Sequence, residues 1–328
     1  MMLDFTKMDE GKKFDLLYAK NEEALNALIN DKSDFIRGCV AKYGNDKHRD
    51  VLINDEDLDI KVVVAQYGND SHRDVLVNNK NLYVKKSVAM YGNDSHRDVL
   101  MYDEDSTIRK VVATYGNDFH RDILMNDKQW HVRKAVATYG NDEHRDTLVN
   151  DEDSYIRETV AMYGNDSHRD VLMYDERSWV REKVAHYGND KHRDILISDK
   201  KWNVKQTVAI YGNDFHRDSL VNDEDSSVRK AVAQHGNDSH RDILVTDEVR
   251  RVSNCAKKYM GSKVHILTKQ FGTYNQVNLL QIFEGGYKII TGCYETASLT
   301  EWVNKAKSQG LAEEVIEKEV EKIKALLV

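Results

Sequence analysis

The sequence predicts a mainly α-helical fold, an α-solenoid of about ten two-helix repeats followed by a small C-terminal α/β module. The octet Tyr43–Asp50 returns nearly unchanged in nine copies, each 24 residues after the last and without insertion or deletion. Apolar residues inside each copy recur at helical spacing. After Gly261 the period is lost and β-rich runs begin. We therefore divide the chain into an N-terminal cap with a degenerate repeat (1–41), the solenoid (42–261) and the α/β module (262–328).

The first helix of a repeat is expected at about residues 108–115 of a central copy. Its apolar residues at positions i, i+4 and i+7 are Ile108, Val112 and Tyr115. This spacing places them on one helical face, which we expect to point inward. Asp105 or Ser106 can cap the helix start, and Gly116 stands where a helix often ends on a left-handed residue.

The second helix of a repeat is expected to begin after Asn117-Asp118, which are also capping residues. It would carry Leu124 and Met125 inward. Two short helices cannot bury a core alone, so neighbouring repeats must stack and share one. The invariant leucine of the second helix and the Val-Ala pair of the first are the predicted core.

The C-terminal module is predicted from a change of pattern. Residues 263–271 and 277–294 contain β-rich runs, and Gly285-Gly286 indicates a hairpin in the second. Thr296 or Ser298 can cap a helix that runs through Trp302, and residues 311–327 form an amphipathic helical pattern.

Composition excludes several classes of protein. Among 328 residues there are 48 Lys and Arg against 56 Asp and Glu, a net charge of −8, and residues 262–328 are neutral, so the excess belongs to the repeats. A uniformly basic nucleic-acid binder is therefore not expected. No run approaches the roughly 18 apolar residues of a membrane helix, and the start lacks the pattern of a signal peptide. Three cysteines and no disulfide framework fit a cytoplasmic protein.

The repeat resembles leucine-rich-repeat-variant and HEAT-like repeats over roughly residues 15–260. The resemblance lies in the run from Asp103 to Arg109 and in the Val112-Ala113 pair, which correspond to the Asp-x-Asp-x-x-Val-Arg entry and the Val-Ala pair of those families. It also extends to repeat proteins of bacteriophages and prophages, in which a solenoid precedes a small α/β tail. Some leucine-rich-repeat variants hold an iron–sulfur cluster on a cysteine-rich segment. This chain has no such segment, so no cofactor is expected.

The repeated histidines suggest a metal site, which the spacing does not favour. Equivalent residues of stacked repeats lie about 8–10 Å apart, too far to share one ion. His48 precedes Leu52 by four residues, which predicts a buried, hydrogen-bonded histidine. The His-Arg-Asp triplet matches part of a kinase signature, but no glycine-rich loop accompanies it. An array of equivalent shallow sites also lacks the single asymmetric pocket that catalysis needs, so we do not expect an enzyme.

Two columns of basic residues admit two interpretations. Arg109 follows Asp105 by four residues, which predicts ion pairs along a structural ladder, and this is the interpretation that we favour. The alternative is a track for the phosphates of a nucleic acid or nucleotide. Its candidate residues are Arg97, Arg121, Arg145, Arg169 and Arg193.

The columns that vary between repeats are the predicted recognition surface. They hold aromatic residues of the kind that anchor protein interfaces: Trp130, Trp179, Trp202, Tyr83, Tyr155, Phe119 and Phe215. The competing interpretation is that these rings only cover loops between repeats. The sequence thus predicts a non-catalytic scaffold that binds a protein partner, and the phage resemblance implies inhibition of a bacterial defence protein. Nucleic-acid or nucleotide binding by the arginine column is the alternative.

Overall fold

The computed structural model describes residues 4–259, 263–268, 278–283, 286–291, 294–296, 298–308 and 312–327. A 3₁₀ turn at Phe5–Lys7 precedes α1 (Glu10–Tyr18) and α2 (Glu22–Leu28). The side chains of Asp9 and Asn21 cap these two helices. The predicted degenerate repeat therefore corresponds to a complete helical pair.

Regular pairs of one longer and one shorter helix follow. The pairs are α3 (Asp34–Tyr43) with α4 (Asp46–Leu52), α5 (Leu58–Tyr67) with α6 (Asp70–Leu76), α7 (Leu82–Tyr91) with α8 (Asp94–Leu100), α9 (Ser106–Tyr115) with α10 (Asp118–Leu124), α11 (Trp130–Tyr139) with α12 (Asp142–Leu148), α13 (Ser154–Tyr163) with α14 (Asp166–Leu172), α15 (Ser178–Tyr187) with α16 (Asp190–Leu196), α17 (Trp202–Tyr211) with α18 (Asp214–Leu220), and α19 (Ser226–His235) with α20 (Asp238–Leu244). A last longer helix, α21 (Arg250–Tyr259), follows α20. The predicted helical repeat is confirmed.

The chain forms two compact units, Met1–His168 and Arg169–Val328. Within each unit the first helices of successive repeats pack side by side, and each second helix packs against the first helices that flank it. The predicted boundary between residues 41 and 42 falls inside α3, which ends at Tyr43. The predicted domain limits were drawn from where the octet begins and where the 24-residue period is lost, and they stay predictions.

The core consists of small and branched apolar side chains from every repeat. In the central repeat Ile108, Val112 and Ala113 are fully buried and Leu124 nearly so. Their equivalents in the other repeats are buried to the same degree. Burial of apolar surface between neighbouring repeats therefore stabilises both, as the leucine and Val-Ala columns predicted.

Two details of the predicted first helix are wrong. Tyr115 was expected to point inward but is 47% exposed. Gly116 is not left-handed, because its φ is −74° and its ψ 175°, an extended conformation open to any residue. Glycine is required there for space. A Cβ on Gly116 would lie 2.6 Å from the Val112 carbonyl oxygen and 2.9 Å from Nδ1 of His120.

The structure describes four strands and two helices after α21. Strands β1 (Lys263–Thr268), β2 (Asn278–Phe283), β3 (Gly286–Thr291) and β4 (Tyr294–Thr296) pair in sequence order as an antiparallel sheet. Ser298 caps α22 (Leu299–Ser308) through the Glu301 amide, and α23 spans Glu313–Leu327. Trp302 is fully buried against Ile289 and Ile316. The predicted hairpin residue Gly285 lies outside the described residues, and a separate α/β domain stays a prediction.

Candidate partner-binding surface

The loop between the two helices of a repeat is fixed by a reciprocal pair of hydrogen bonds. In the central repeat the Asn117 side chain accepts from the His120 amide, and Nδ1 of His120 accepts from the Asn117 amide at 3.1 Å. This is a capping box with histidine in the place usually taken by Glu or Gln. Because Nδ1 accepts, the neutral ring carries its proton on Nε2. The predicted structural role of the histidines is therefore confirmed.

The same asparagine and histidine connect each repeat to the preceding one. Asn117 Nδ2 donates to Asp94 at 2.9 Å, and Nε2 of His120 lies 3.2 Å from a carboxylate oxygen of Asp98. His192 makes the equivalent contact to Asp170 with hydrogen-bond geometry, whereas the alignment is poorer at His120. We therefore regard the contact at His120 as electrostatic. The loops are thus held together by polar links as well as by the core.

His48 is the exception in this column, because Asn26 stands where later repeats carry aspartate. The Asn26 side chain donates to the Glu22 carbonyl instead, and Nε2 of His48 is buried with no hydrogen-bond partner among the described residues. We expect Asn26→Asp to raise the free energy of unfolding by up to about 1 kcal/mol, because the carboxylate would add the electrostatic contact that Asp98 makes with the buried Nε2 of His120. Asp98→Asn, the reverse change beside His120, should lower it by a similar amount. Urea midpoints of the two variants test this, and a loss of stability in Asn26→Asp would contradict it.

The predicted phosphate-binding arginines are engaged inside their own repeats. Arg121 donates through Nε to the Ala113 carbonyl at 3.0 Å, through Nη2 to the Thr114 carbonyl and through Nη1 to Asp118. It thereby satisfies carbonyls at the end of α9 that no helical amide reaches. Arg97, Arg145 and Arg193 make the same bonds, and Arg169 is also partnered. This geometry leaves few donors for phosphate.

The second basic column forms ion pairs between repeats, but with a different aspartate from the one expected. Arg109 pairs bidentately with Asp127, at 2.6 Å and 3.0 Å, whereas Asp105 acts on it only as a nearby charge. Asp105 instead caps α9 through the Thr107 amide. Burial alone would raise the pKa of Asp127, but hydrogen bonds from Arg109 and the Gln129 amide outweigh it and lower the pKa. The favoured structural ladder is therefore present with a corrected partner.

The predicted aromatic residues are all more than a third exposed, and they lie at two edges of the repeats. Tyr83, Trp130 and Tyr155 stand at first-helix starts in the first unit. The Trp130 and Tyr155 rings come from neighbouring repeats and lie 6.1 Å apart between centroids. We call this group, Tyr83, Trp130 and Tyr155, the aromatic edge. The Trp130 and Tyr155 rings together form one exposed apolar surface.

The remaining predicted residues lie elsewhere. Trp179 and Trp202 hold the equivalent positions in the second unit, where the Arg177 guanidinium lies 5.4 Å from the Trp179 ring. Phe119 and Phe215 are the second residues of second helices, and the one aromatic contact described for each ring is a T-shaped contact with the neighbouring histidine ring. The helix that separates the two edges has ten residues and so spans about 15 Å. The sequence-predicted residues therefore do not form one site.

Sequence reasoning missed a row of exposed tyrosines at the ends of the first helices. Its members are Tyr67, Tyr91, Tyr115, Tyr139 and Tyr163 in the first unit and Tyr187, Tyr211 and Tyr259 in the second. The residue before each tyrosine can fill the space between rings, as His186 does by stacking 4.2 Å from Tyr187 and 3.9 Å from Tyr211. Helical spacing suggested a core position, whereas the place of the tyrosine as the last helical residue, two residues after the Val-Ala pair, was the signal for exposure.

Other kinds of site have little support in the described residues. Within them, no three His, Cys, Asp or Glu side chains group as ligands for one metal ion. The helices that the structure describes are also too short or too polar to cross a membrane. Cys39 and Cys255 are buried, and burial raises the pKa of both thiols, which disfavours the reactive thiolate.

Comparison with solved structures supports the repeat fold. A protein described as a leucine-rich repeat variant with a novel repetitive structural motif superposes with a TM-score of 0.53 at 20% identity, over 63% of this chain and 88% of that one. Two engineered proteins match at 15% and 14% identity, over 77% and 76% of this chain and 90% and 96% of theirs. Their TM-scores of 0.25 and 0.16 are too low to indicate a shared fold. No family model and no curated protein matches, and nothing found supports the phage resemblance. The chain therefore has the fold of a helical repeat protein.

Proposed function

We propose that the protein is a non-catalytic scaffold that binds a protein partner through the aromatic edge. The observation that carries this proposal is the contact between the Trp130 and Tyr155 rings, which are 45% and 54% exposed. Large rings with few rotatable bonds bury much apolar area at small entropic cost, and they dominate the energetics of protein interfaces. Their columns hold Ser106, one repeat before Trp130, and Thr107, two repeats before Tyr155, so these rings are not needed for the fold.

The arrangement of the edge also favours a folded protein or peptide over a small molecule. The rings stand on rigid helices that are fixed to their neighbours by ion pairs. Arg133, for example, connects the repeat of Trp130 to Asp151 of the next repeat. A preorganised surface of this kind loses little conformational freedom on binding.

The experiment compares capture of partners by the tagged full-length chain and by two double variants. Trp130→Ser with Tyr155→Thr removes the joined rings and uses residues found in the same columns of other repeats. Phe119→Ser with Phe215→Ser does the same at the other edge, where Ser71 stands in an equivalent position. Partners captured from a bacterial lysate by the parent chain should bind the first variant at least about tenfold more weakly and the second nearly unchanged.

Circular dichroism melting curves of both variants serve as the folding control, because none of these side chains is in the core. If the first variant kept every partner at the parent affinity, the aromatic edge would not be the binding surface. If only the second variant lost its partners, the surface would lie at the second-helix starts.

Two finer hypotheses have less support. A phage-encoded inhibitor of a bacterial defence protein rests on the resemblance of the repeats and tail alone, and the identity of the captured partner tests it. Binding of nucleic acid or nucleotide by the arginine column would need guanidinium groups that now hold helix ends. A DNA titration at low salt tests that alternative, since phosphate binding would weaken in proportion to the logarithm of the salt concentration.

A further inference from the structure

A cavity of about 400 Å³ opens beside the first helices at the amino-terminal end of the first unit. Its floor includes Cys39 and Ile60, which are buried, and its walls include the rings of Phe14, Phe35 and Tyr43. Phe14 and Phe35 stack with centroids 6.0 Å apart, and Tyr43 meets Phe14 edge-on. The cavity is therefore an aromatic pocket with an apolar floor, and its volume is within the range of known ligand sites.

One position on the pocket wall contributes no side chain. Gly38 lies on its wall, and a Cβ at Gly38 would meet nothing within 4 Å. Most later repeats carry a long side chain in this column, such as Lys86 and Lys110. Glycine inside a helix lowers the stability of the helix, so a glycine at this position suggests a role other than helix formation.

The rim of the pocket is acidic. Asp34, Asp57 and Asp59 line it. Asp34 and Asp57 each accept one backbone amide and feel the charge of Arg37, but the Arg37 guanidinium is itself paired with Asp55. The one lining amine, on Lys42, is directed at tyrosines, 5.1 Å from the Tyr43 ring centroid and 5.8 Å from that of Tyr67. Three carboxylates against one amine leave the mouth negatively charged.

We propose that this pocket binds an arginine side chain of the partner protein. A guanidinium stacks on aromatic faces and donates two parallel hydrogen bonds to a carboxylate, which matches rings in the walls and acids at the rim. Its hydrocarbon stem would lie on the apolar floor. The inference rests on the proposed function, because Phe35 holds the same column as Tyr83 and Tyr155 of the aromatic edge. The pocket would add charge selectivity to that apolar surface.

The test titrates the full chain with a short blocked peptide that has one arginine between glycines. Calorimetry and the methyl chemical shifts of Ile60 report binding. Matched peptides carry lysine, glutamate or citrulline, the neutral analogue of arginine. We expect the citrulline peptide to bind at least about tenfold more weakly than the arginine peptide and the glutamate peptide not to bind. Equal affinity for arginine and citrulline would overturn the proposal, and stronger binding of lysine would show that arginine is the wrong occupant.

Two substitutions at Gly38 complete the test. Gly38→Lys places in the pocket the side chain that Lys86 and Lys110 carry at this position, and it should weaken the arginine peptide at least about tenfold. Gly38→Ala improves the helix equally while leaving most of the volume, so its affinity should stay within about twofold of the parent. Unchanged binding in Gly38→Lys would place the peptide elsewhere.

The two proposals can fail separately. Partner capture that survives Gly38→Lys but not the Trp130 and Tyr155 double variant would leave the scaffold and overturn the arginine pocket. If the arginine peptide bound at Gly38 while no aromatic substitution affected partner capture, the arginine pocket would stand and the aromatic edge would be overturned as the binding surface.

Discussion

Arg133→Ala is expected to lower the local free energy of unfolding by about 3–5 kcal/mol, the usual cost of leaving one partner of a buried ion pair alone. The Arg133 side chain is 10% exposed and that of Asp151 is 7% exposed. The guanidinium also donates to the carbonyls of Asp127 and Lys128, which come just before α11. Its removal therefore leaves the buried Asp151 carboxylate without a cation, with only the Asp153 amide as donor, and leaves two backbone acceptors without their donor.

Arg133→Lys is the matched control, because Lys85 and Lys205 occupy the same column and pair with their own aspartates. We expect a loss of only about 1 kcal/mol, since one charged donor is kept and the carbonyl bonds are lost. Hydrogen exchange of the α11 and α12 amides is the measurement, because repeat arrays open locally and a single global unfolding energy is not well defined. Similar losses in both variants would show that the carbonyl bonds matter more than the ion pair.

Gly116→Ala is expected to destabilise the protein by about 1–3 kcal/mol through overpacking. The new methyl group would lie 2.6 Å from a backbone oxygen and 2.9 Å from the imidazole of His120. Neither group can move freely. The Val112 oxygen accepts the Gly116 amide at the end of α9, and the His120 imidazole belongs to the capping box. Thermal melting of the variant is the measurement.

Gly116→Asn separates this explanation from the one that the sequence suggested. Asparagine tolerates a left-handed backbone, so it would be accepted if residue 116 were left-handed. It would not be accepted if residue 116 is extended and has no space for a side chain. We expect Asn to cost at least as much as Ala. Gly38→Ala provides the opposite control, because that helical glycine has open space and alanine should stabilise it by up to about 1 kcal/mol. If Gly116→Asn left the stability unchanged, the left-handed explanation would be favoured over the one based on space.

Most of the fold could be predicted because the repeat displays its own rules many times. Asn117 caps the second helix of its repeat as expected, and Leu124 is buried as its invariance indicated. The errors arose where a local pattern fits two geometries. Spacing alone placed Tyr115 inward, whereas the end of a short helix can direct it outward. Arg109 had an acidic residue four positions earlier, and only three-dimensional stacking brings Asp127, 18 positions later, within reach.

The candidate site was less predictable for the same reason. The sequence identified Trp130 and Tyr155 individually, but their contact depends on how neighbouring repeats stack. It could not show that Phe119 belongs to another edge. The pocket at Gly38 was invisible, because a glycine in a helical pattern does not reveal what surrounds it.

The links between repeats have a consequence for how such a chain changes over generations. Within each unit the connecting groups, such as Asn117, His120 and Arg109, occupy columns that are separate from those of Trp130 and Tyr155. A duplicated or deleted stretch of one full period would therefore find its polar partners already in place. Surface residues could then be substituted without disturbing the hydrogen bonds and ion pairs between repeats. The length of the array and its surface residues can thus change by independent routes.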